Sequence, residues 1–509
     1  VQVKLYEFQQ QAIDQLMAHE AATGDTSVLI GDDMGLGKTV EAIALDLQKR
    51  LKHNCMKTGQ TLVVTQTSVM GSWKDHYKEW ASDLKVMVID RKNRKTFADA
   101  IQEMDGNGLP VYQIFVCHWQ VLRFIADELK ERHWFHIIGD EIQNIKNRKA
   151  QQTQVYKKLR TMYKTGLSGT WADNRPDDAW SILNWLWPKD YTSYWAFFNH
   201  HVLQKTHNQG TCMAEGCDSY HGRGYTEICG MNDAELIHTQ MGNAYVRRLK
   251  SAVWKDMPEK TWTDREVVLG SKQRGAYDSM RDDMMAWVGK NEDQPIQAAA
   301  VVSQLVRLQQ FAVAYGKLEM KKFLFERITE ENVDYYEGKY KVGDKIYEDR
   351  PVLVLDEPSS KLDAAMDIIE ASSGQLVFFG QSKQAINLLA ARCKRAGIPT
   401  GVLTGDTKQA DRDLAVQEFQ SGRLKVFLST AKAGGVGITL TAAQTCVFLD
   451  KPWSPSACRQ AEDRLHRLGQ KSAVLIITLV AKDTIDRKRN DRIEMKWEWL
   501  KAVLDPKKG

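Results

Sequence analysis

The chain has 509 residues, 43% of them hydrophobic and 27% charged, proportions ordinary for a globular protein that exclude a disordered, collagen-like or coiled-coil chain. At roughly 150 residues per domain it holds about three units, or two large ones with an insertion. Seventy Lys and Arg against 65 Asp and Glu leave a net charge of only +5, so any contact with nucleic acid has to come from a local cleft rather than a global field.

Short, β-branched apolar runs alternate with helix-like segments in both halves. The first half predicts strands at Ser27 to Ile30, Thr61 to Thr65, Val86 to Ile89, Ile114 to Cys117, Phe135 to Ile138 and Lys164 to Leu167. The second half predicts them at Gln375 to Phe379, Thr400 to Leu403, Lys425 to Leu428, Thr445 to Leu449 and Val474 to Thr478. Runs of this length between helical segments read as buried parallel strands, so the expected fold class is α/β, with two tandem doubly wound parallel-sheet lobes and helical insertions. The expected division is a first lobe at residues 1–179, a helical insertion at 180–262 and a helical linker region at 263–350 with a polar insertion at 334–349. A second lobe at 351–482 and a helical extension at 483–509 complete it. No period of 20–50 residues recurs, which excludes a solenoid.

After the first strand comes Gly31-Asp32-Asp33-Met34-Gly35-Leu36-Gly37-Lys38-Thr39, followed by a helical segment. Glycines let backbone N–H groups close on phosphates, Lys38 reaches the β/γ oxygens, and the Thr39 hydroxyl ligates magnesium at a helix N-terminus. Asp32 stands where the strict GxxxxGK[ST] pattern has Gly. A triphosphatase also needs a carboxylate for magnesium and one for the attacking water at a neighbouring strand end. Asp140-Glu141 and Asp356-Glu357 compete for that role. The second pair lies more than 300 residues after Lys38, with no Leu-Ser-Gly-Gly-Gln before it. Asp140 is therefore assigned to magnesium and Glu141 to the water.

Three of eight cysteines crowd into 207–229, together with histidines. His207, Cys212, Cys217 and His221 form a candidate structural zinc set, with Cys229 able to replace either His. The alternative is a glycine-rich loop with incidental thiols. The longest apolar stretch, Ala473 to Ala481, is shorter than the ~20 residues of a membrane span. Without a secretory leader either, the chain is expected to be soluble and intracellular.

The second half carries Ala431-Lys432-Ala433-Gly434-Gly435-Val436-Gly437 and then Gln460-Ala461-Glu462-Asp463-Arg464-Leu465-His466-Arg467. Joined to the phosphate loop, these resemble motifs V and VI of the two-lobed helicase-like ATPases, and specifically of the Swi/Snf family of double-stranded-DNA translocases. Leu5-Tyr6-Glu7-Phe8-Gln9 is similar to the family's adenine-reading segment, and Asp33 to Thr39 to its motif I, with Asp33 where Glu is usual. Thr61 to Trp73 resembles motif Ia, Val116 to Leu122 motif Ib, and Asp140 to Asn147 motif II, with Gln143 where His is common. Leu167-Ser168-Gly169-Thr170 resembles motif III, with Trp171 in place of Pro, and Phe378 to Ser382 motif IV. Arg247-Arg248-Leu249-Lys250, Ser360-Lys361-Leu362, Trp453-Ser454-Pro455 and Asp483-Thr484-Ile485-Asp486 are similar to further family elements.

The resemblance implies two RecA-like lobes, with ATP and magnesium as cofactors and double-stranded DNA as partner. It implies ATP contacts at Gln9, Asp33, Met34, Gly35, Leu36, Gly37, Lys38, Thr39 and Gln460. The catalytic set it implies is Lys38, Asp140, Glu141, Gln143, Arg464 and Arg467, the two arginines acting as fingers on transition-state charge. DNA contacts are expected at Thr65, Ser429, Thr430, Lys432 and Trp453. Family members translocate on duplex without unwinding it, so the expected activity is ATP-dependent translocation by a monomer. The absence of a recognisable chromatin-reading, nuclease or partner-binding domain points to a bacterial or viral source. Two alternatives stay open: an RNA-dependent ATPase of the wider superfamily, and a weakly active DNA-binding scaffold.

Overall fold

The structure is a computed structural model and describes residues 5–90, 92–172, 175–207, 210–211, 220–221, 225–290, 298–327, 339, 341–434, 437–467 and 469–505. The first six strands are β1 (Ser27–Ile30), β2 (Thr61–Thr65), β3 (Val86–Ile89), β4 (Ile114–His118), β5 (His133–Asp140) and β6 (Arg160–Leu167). A peripheral region follows, with β7 (Val202–His207), the two-residue β8 (Gly210–Thr211) and β9 (Tyr220–His221), and β10 (Tyr225–Met231). Next come β11 (Tyr245–Val246), β12 (Lys260–Val267), β13 (Tyr315–Arg327) and β14 (Lys345–Asp356). The last five are β15 (Leu376–Gly380), β16 (Thr400–Leu403), β17 (Val426–Thr430), β18 (Thr445–Phe448) and β19 (Val474–Ala481).

Two wholly parallel sheets result, in the orders β11-β1-β6-β5-β2-β4-β3 and β12-β19-β18-β15-β17-β16. Side chains along each strand alternate between two apolar layers. Leu29, Leu62, Val64, Phe115 and Ile137 enter one core of the first lobe, while Val28, Ile30, Val63, Val116 and Ile138 enter the other. The second sheet divides likewise, with Phe378, Val426, Leu428 and Val447 on one side and Val377, Phe379, Phe427 and Phe448 on the other. Full burial of each such side chain stabilises by about 1.5–3 kcal/mol. A four-residue strand like β1 is therefore held by its two faces rather than by propensity.

Three features depart from the sequence expectation. The stretch read as a helical insertion at 180–262 gives β11 to the edge of the first sheet, and it contains the antiparallel pair β7–β10. Lys260–Val267 forms the edge strand of the second sheet, paired along its length with β19. Its mostly polar, exposed side chains hid it from a reading keyed to apolar runs. The region 263–350 contains helices Ser271–Lys290 and Ala298–Val313. It then turns into the long antiparallel hairpin β13–β14, registered from Tyr315↔Asp356 to Arg327↔Lys345.

The C-terminal helix, Ile485–Leu504, leaves the second lobe after β19 and returns to the first. Leu500, Val503 and Leu504 are buried in a first-lobe core, and the Tyr245 hydroxyl donates to the Leu504 carbonyl at 2.7 Å. No described helix is long and apolar enough to cross a membrane.

Beneath the first sheet lies a buried polar hub. The Asp46 carboxylate accepts from Arg50 Nε at 2.8 Å, the Thr61 hydroxyl at 2.8 Å and the Tyr77 hydroxyl at 3.3 Å, with His136 Nδ1 at 2.9 Å. Burial alone would raise the Asp46 pKa, but Arg50 and His136 hold it well below the ordinary carboxylate range. Its stabilisation is thus complete above the unfolded carboxylate value and is lost as pH falls through the folded one. Asp46→Ala strands a buried guanidinium and is expected to cost about 3–5 kcal/mol. Urea denaturation at neutral pH checks this, and a loss below about 1 kcal/mol would make the hub dispensable.

Candidate active site and nucleic-acid cleft

Because each sheet is parallel, the residues following its strands emerge along one edge, where ligands of open α/β sheets bind. The ends of β1, β6, β5 and β2 bring together the phosphate loop, Ser168-Gly169-Thr170, Asp140-Glu141 and Thr65. Gly35 and Gly37 lie in the left-handed region with φ of +86° and +89°. A Cβ on Gly37 would also stand 2.5 Å from Gln9 Nε2, so both conformation and space require glycine. Gln9 is buried, donating to the Leu36 carbonyl at 2.9 Å and accepting from the Tyr6 N–H at 3.0 Å. Helix Lys38–Lys52 starts at the loop with Lys38 and Thr39, and Lys38 Nζ folds back onto the Asp32 carbonyl at 2.7 Å.

The loop's two aspartates turn away from its glycines. Asp32 is fully buried and pairs with Arg248, which also binds Glu41 and the Phe8 carbonyl. Burial and the adjacent Asp32 push the Glu41 pKa up to about 8 against the pull of Arg248. Asp33 pairs with Arg247 Nη2 at 3.0 Å and accepts from the Lys250 N–H at 3.1 Å. Arg247 also reaches the Gly31 carbonyl at 2.6 Å and Asp505 at 2.8 Å. The Arg-Arg-x-Lys element thus fastens the loop from behind, a role that its sequence pattern did not disclose. The signal available was two adjacent acids in a phosphate-binding loop, which need countercharges. Trp171, placed where Pro is usual, is fully buried with its indole N–H on the Tyr245 hydroxyl at 3.2 Å.

Asp140 ends β5 with one carboxylate oxygen already engaged. Its Oδ2 accepts from the Thr65 hydroxyl at 2.7 Å and from the Trp73 indole N–H at 3.0 Å, while Trp119 Nε1 donates to its carbonyl at 3.0 Å. Glu141 adopts a left-handed conformation, φ +51°, and its carbonyl accepts from the backbone and side-chain N–H groups of Asn144. The Glu141 carboxylate accepts from Gln143 Nε2 at 2.6 Å and from Gln460 Nε2 of the second lobe at 3.4 Å. Burial and the Asp140 charge raise its pKa, while Gln143, Lys38 and Arg464 oppose the rise.

The second lobe closes on this site. A Cβ at Gly35 would lie 3.5 Å from Arg467 Cβ. Arg464 Nε donates to the Gln460 carbonyl at 3.1 Å, and Arg467 Nη1 to the Ile438 carbonyl at 3.3 Å. Burial and the neighbouring Arg467 pull the Arg464 pKa down to about 10, with Glu141 acting in the other direction. Asp463 joins Lys250 at 2.9 Å and Lys260 at 3.4 Å, fixing the segment between the lobes to the turn that follows helix Pro455–Glu462 and carries the arginines.

A cleft of about 600 Å³ runs between the lobes along the other motif segments. Thr65, Gln66, Thr67, Ser68, His118 and Trp119 line it from the first lobe, and Gln381, Arg412, Lys432 and Gln460 from the second. It is rich in amides and hydroxyls, the donors that grip a sugar–phosphate backbone without reading sequence. Arg412, whose Nη2 donates to the Ala433 carbonyl at 2.7 Å, was not singled out in the sequence. Of the residues expected at DNA, Thr65 and Lys432 line the cleft, with the Thr65 hydroxyl directed to Asp140. Ser429 is fully buried, its hydroxyl spent on the Leu403 and Thr430 carbonyls at 3.0 Å each, so it shapes the loop from beneath. Thr430 is also buried. The Trp453 indole N–H donates to Gln309 Oε1 at 2.8 Å, and Gln309 Nε2 in turn holds the buried Asp450 at 2.6 Å.

Asp356-Glu357 belongs to the second lobe, where Glu357 pairs with Arg392 at 2.5 Å. Lys361 and Asp486, from two separate family-like segments, meet as a fully buried pair at 2.6 Å. Asp483 lies in the left-handed region with φ +54°. Of the zinc set, Cys212 and Cys217 and the side chains of His207 and His221 lie outside the described residues. Among the described residues no group of His, Cys, Asp and Glu could hold a metal by itself.

The chain matches the SNF2-related domain over residues 8–314 and the helicase conserved C-terminal domain over 360–469. It is 25% identical to the SWI/SNF-related matrix-associated actin-dependent regulator of chromatin subfamily A member 1 of Mus musculus, over 92% of this chain and 40% of that protein. It is also 25% identical to an uncharacterized ATP-dependent helicase of Mycoplasma pneumoniae, over 90% of this chain and 38% of that one. The chain therefore spans about two-fifths of the length of these curated relatives. A Sulfolobus solfataricus SWI2/SNF2 ATPase core in complex with double-stranded DNA aligns with TM-score 0.41 and 22% identity, over 99% of this chain and 98% of that one.

Proposed function

The chain belongs to the SNF2-related family, and from that premise we propose that it hydrolyses ATP to move along double-stranded DNA, remodelling protein–DNA complexes or DNA structure without processive unwinding. The observation that carries this reading is the hydrogen bond from Gln460 to Glu141 across the lobes, with the charges of Arg464 and Lys38 near enough to act on the same carboxylate. Such an arrangement makes hydrolysis depend on lobe closure.

The loop N–H groups and Lys38 bind the triphosphate, and Gln9 stands at the adenine side. The Asp140 carboxylate at the end of β5 and the Thr39 hydroxyl at a helix N-terminus are hard oxygen donors that suit magnesium, and Oδ2 of Asp140 is already held by Thr65 and Trp73. Magnesium, when bound, neutralises charge developing on the phosphates. Glu141 orients the attacking water, with Gln143 fixing its carboxylate. Arg464 and Arg467 meet the transition-state charge from the second lobe, so ATP favours closure and hydrolysis relaxes it. With backbone contacts in the cleft from both lobes, including Lys432, Arg412 and the segment beside Trp453, each cycle advances the grip along the duplex.

Steady-state ATP hydrolysis without nucleic acid and with duplex DNA, single-stranded DNA or RNA tests the reading. Stimulation by duplex that falls with rising salt is expected. Stimulation by RNA alone would move the chain to RNA-dependent ATPases, and ATP binding without turnover would make it a scaffold.

We further propose that the motor acts as a monomer inside the cell, and that His207, Cys212, Cys217 and His221 hold a structural zinc. Purified protein should contain about one zinc per chain, reduced by Cys212→Ser, as a four-ligand site requires. A content far below that in the unaltered protein ends the zinc assignment.

A further inference from the structure

Gln66, Thr67 and Ser68 line the cleft, and the segment they form is anchored at both ends on a single atom. Thr65, just before it, and Trp73, just after it on helix Met70–Trp80, both donate to Oδ2 of Asp140, at 2.7 and 3.0 Å. Both donors are buried, Thr65 at 0% and Trp73 at 1% exposure. Just past the end of β4, Trp119 lines the same cleft and holds the Asp140 carbonyl. From the second lobe, Gly437 presses on the segment so closely that a Cβ there would stand 2.8 Å from Val69 Cγ1.

We propose that Thr65 and Trp73 are positioning residues for Asp140, and that the cleft segment between them transmits the presence of a nucleic-acid strand to the metal carboxylate. The assignment rests on the translocase reading for the identity of the strand, but not for the geometry. With Oδ2 fixed by two donors, the carboxylate cannot rotate freely, and its other oxygen is presented in one direction. A strand seated on Gln66, Thr67 and Ser68 restrains the segment and with it both donors. One that lifts the segment pulls on the same oxygen from both ends. The Thr65 hydroxyl, expected from sequence to contact DNA, instead faces the nucleotide site.

The test uses the full chain with Thr65→Val, Thr65→Ser and Trp73→Phe. The first readout needs no turnover: the magnesium concentration that half-saturates binding of a fluorescent non-hydrolysable ATP analogue, without DNA. Loss of one hydrogen bond to a charged group is expected to raise it about tenfold in Thr65→Val and Trp73→Phe, with Thr65→Ser near wild type. The second readout is the ratio of duplex-stimulated to basal hydrolysis, expected to fall in Thr65→Val and recover in Thr65→Ser. Thermal unfolding confirms that each variant is folded, and Thr65→Val, nearly isosteric, carries the decision should Trp73→Phe fail to fold. An unchanged magnesium requirement in folded Thr65→Val overturns the positioning role. Weakened duplex affinity with an unchanged magnesium requirement would return Thr65 to a DNA contact. A wild-type chain that no nucleic acid stimulates counts against the translocase reading and against transmission, while the magnesium arm still decides the positioning role.

Discussion

Arg464→Ala is expected to lower ATP turnover by about 10³–10⁵-fold while the protein stays folded and binds nucleotide. The residue comes from the lobe that does not carry the phosphate loop. It stands close enough to Glu141 for each to shift the other's pKa, and Nε is fixed by the carbonyl one turn earlier, at Gln460. Its guanidinium is therefore pre-aimed, and alanine removes the charge without disturbing the Lys38 loop that holds the ligand. Arg464→Lys should recover little, because a flexible point charge cannot replace a planar fork fixed at one end. Phosphate release under saturating ATP and duplex, beside equilibrium binding of a fluorescent ATP analogue, measures both halves. A variant that keeps a tenth or more of wild-type turnover would remove Arg464 from catalysis and leave Arg467 as the only finger.

Glu141→Gln should cut turnover by about 10²–10⁴-fold, the usual contribution of a positioned base. The substitution preserves shape, and the left-handed backbone at this position remains held by Asn144. Glutamine can still meet Gln143 and Gln460, but it has no negative charge to polarise water. Nucleotide affinity should persist, and duplex affinity in the ATP state should rise, since the closed lobes no longer relax through hydrolysis. Single-turnover kinetics with the same chain distinguishes a chemical defect from slow product release. Equal single-turnover rates for the two proteins would refute the assignment of Glu141 to the water.

Eleven of the thirteen strands in the two parallel sheets were legible as short apolar runs between helical segments, and the phosphate loop because glycine spacing is a local property; the two-residue edge strand β11 is too short to leave such a run. The edge strand Lys260–Val267 was not legible either, because an exposed edge carries polar residues that mimic a loop. The hairpin β13–β14 was missed for a related reason: Lys, Leu, Glu and Met in β13 favour helix in isolation. In the site, Lys38, Thr39, Asp140 and Glu141 could be read as one motif after another. Trp73, Arg247, Arg412 and Gln309 owe their roles to partners far along the chain, which no local pattern reports. Thr65 shows the remaining difficulty, since a hydroxyl at a strand end has two sides to face and only packing chooses between them.

The return of the C-terminal helix to the first lobe has a mechanical meaning. The polypeptide crosses between the lobes once before β12 and again along Ile485–Leu504, and the second crossing is fastened by Leu504 to Tyr245 and by Asp505 to Arg247. The two crossings are bound to each other where they meet the first lobe, since Tyr245 and Arg247 stand at the departure of the first and hold the end of the second. Two straps sewn together at one end act as a single doubled hinge, and bending there bears on Arg247, which grips the Gly31 carbonyl at the root of the phosphate loop.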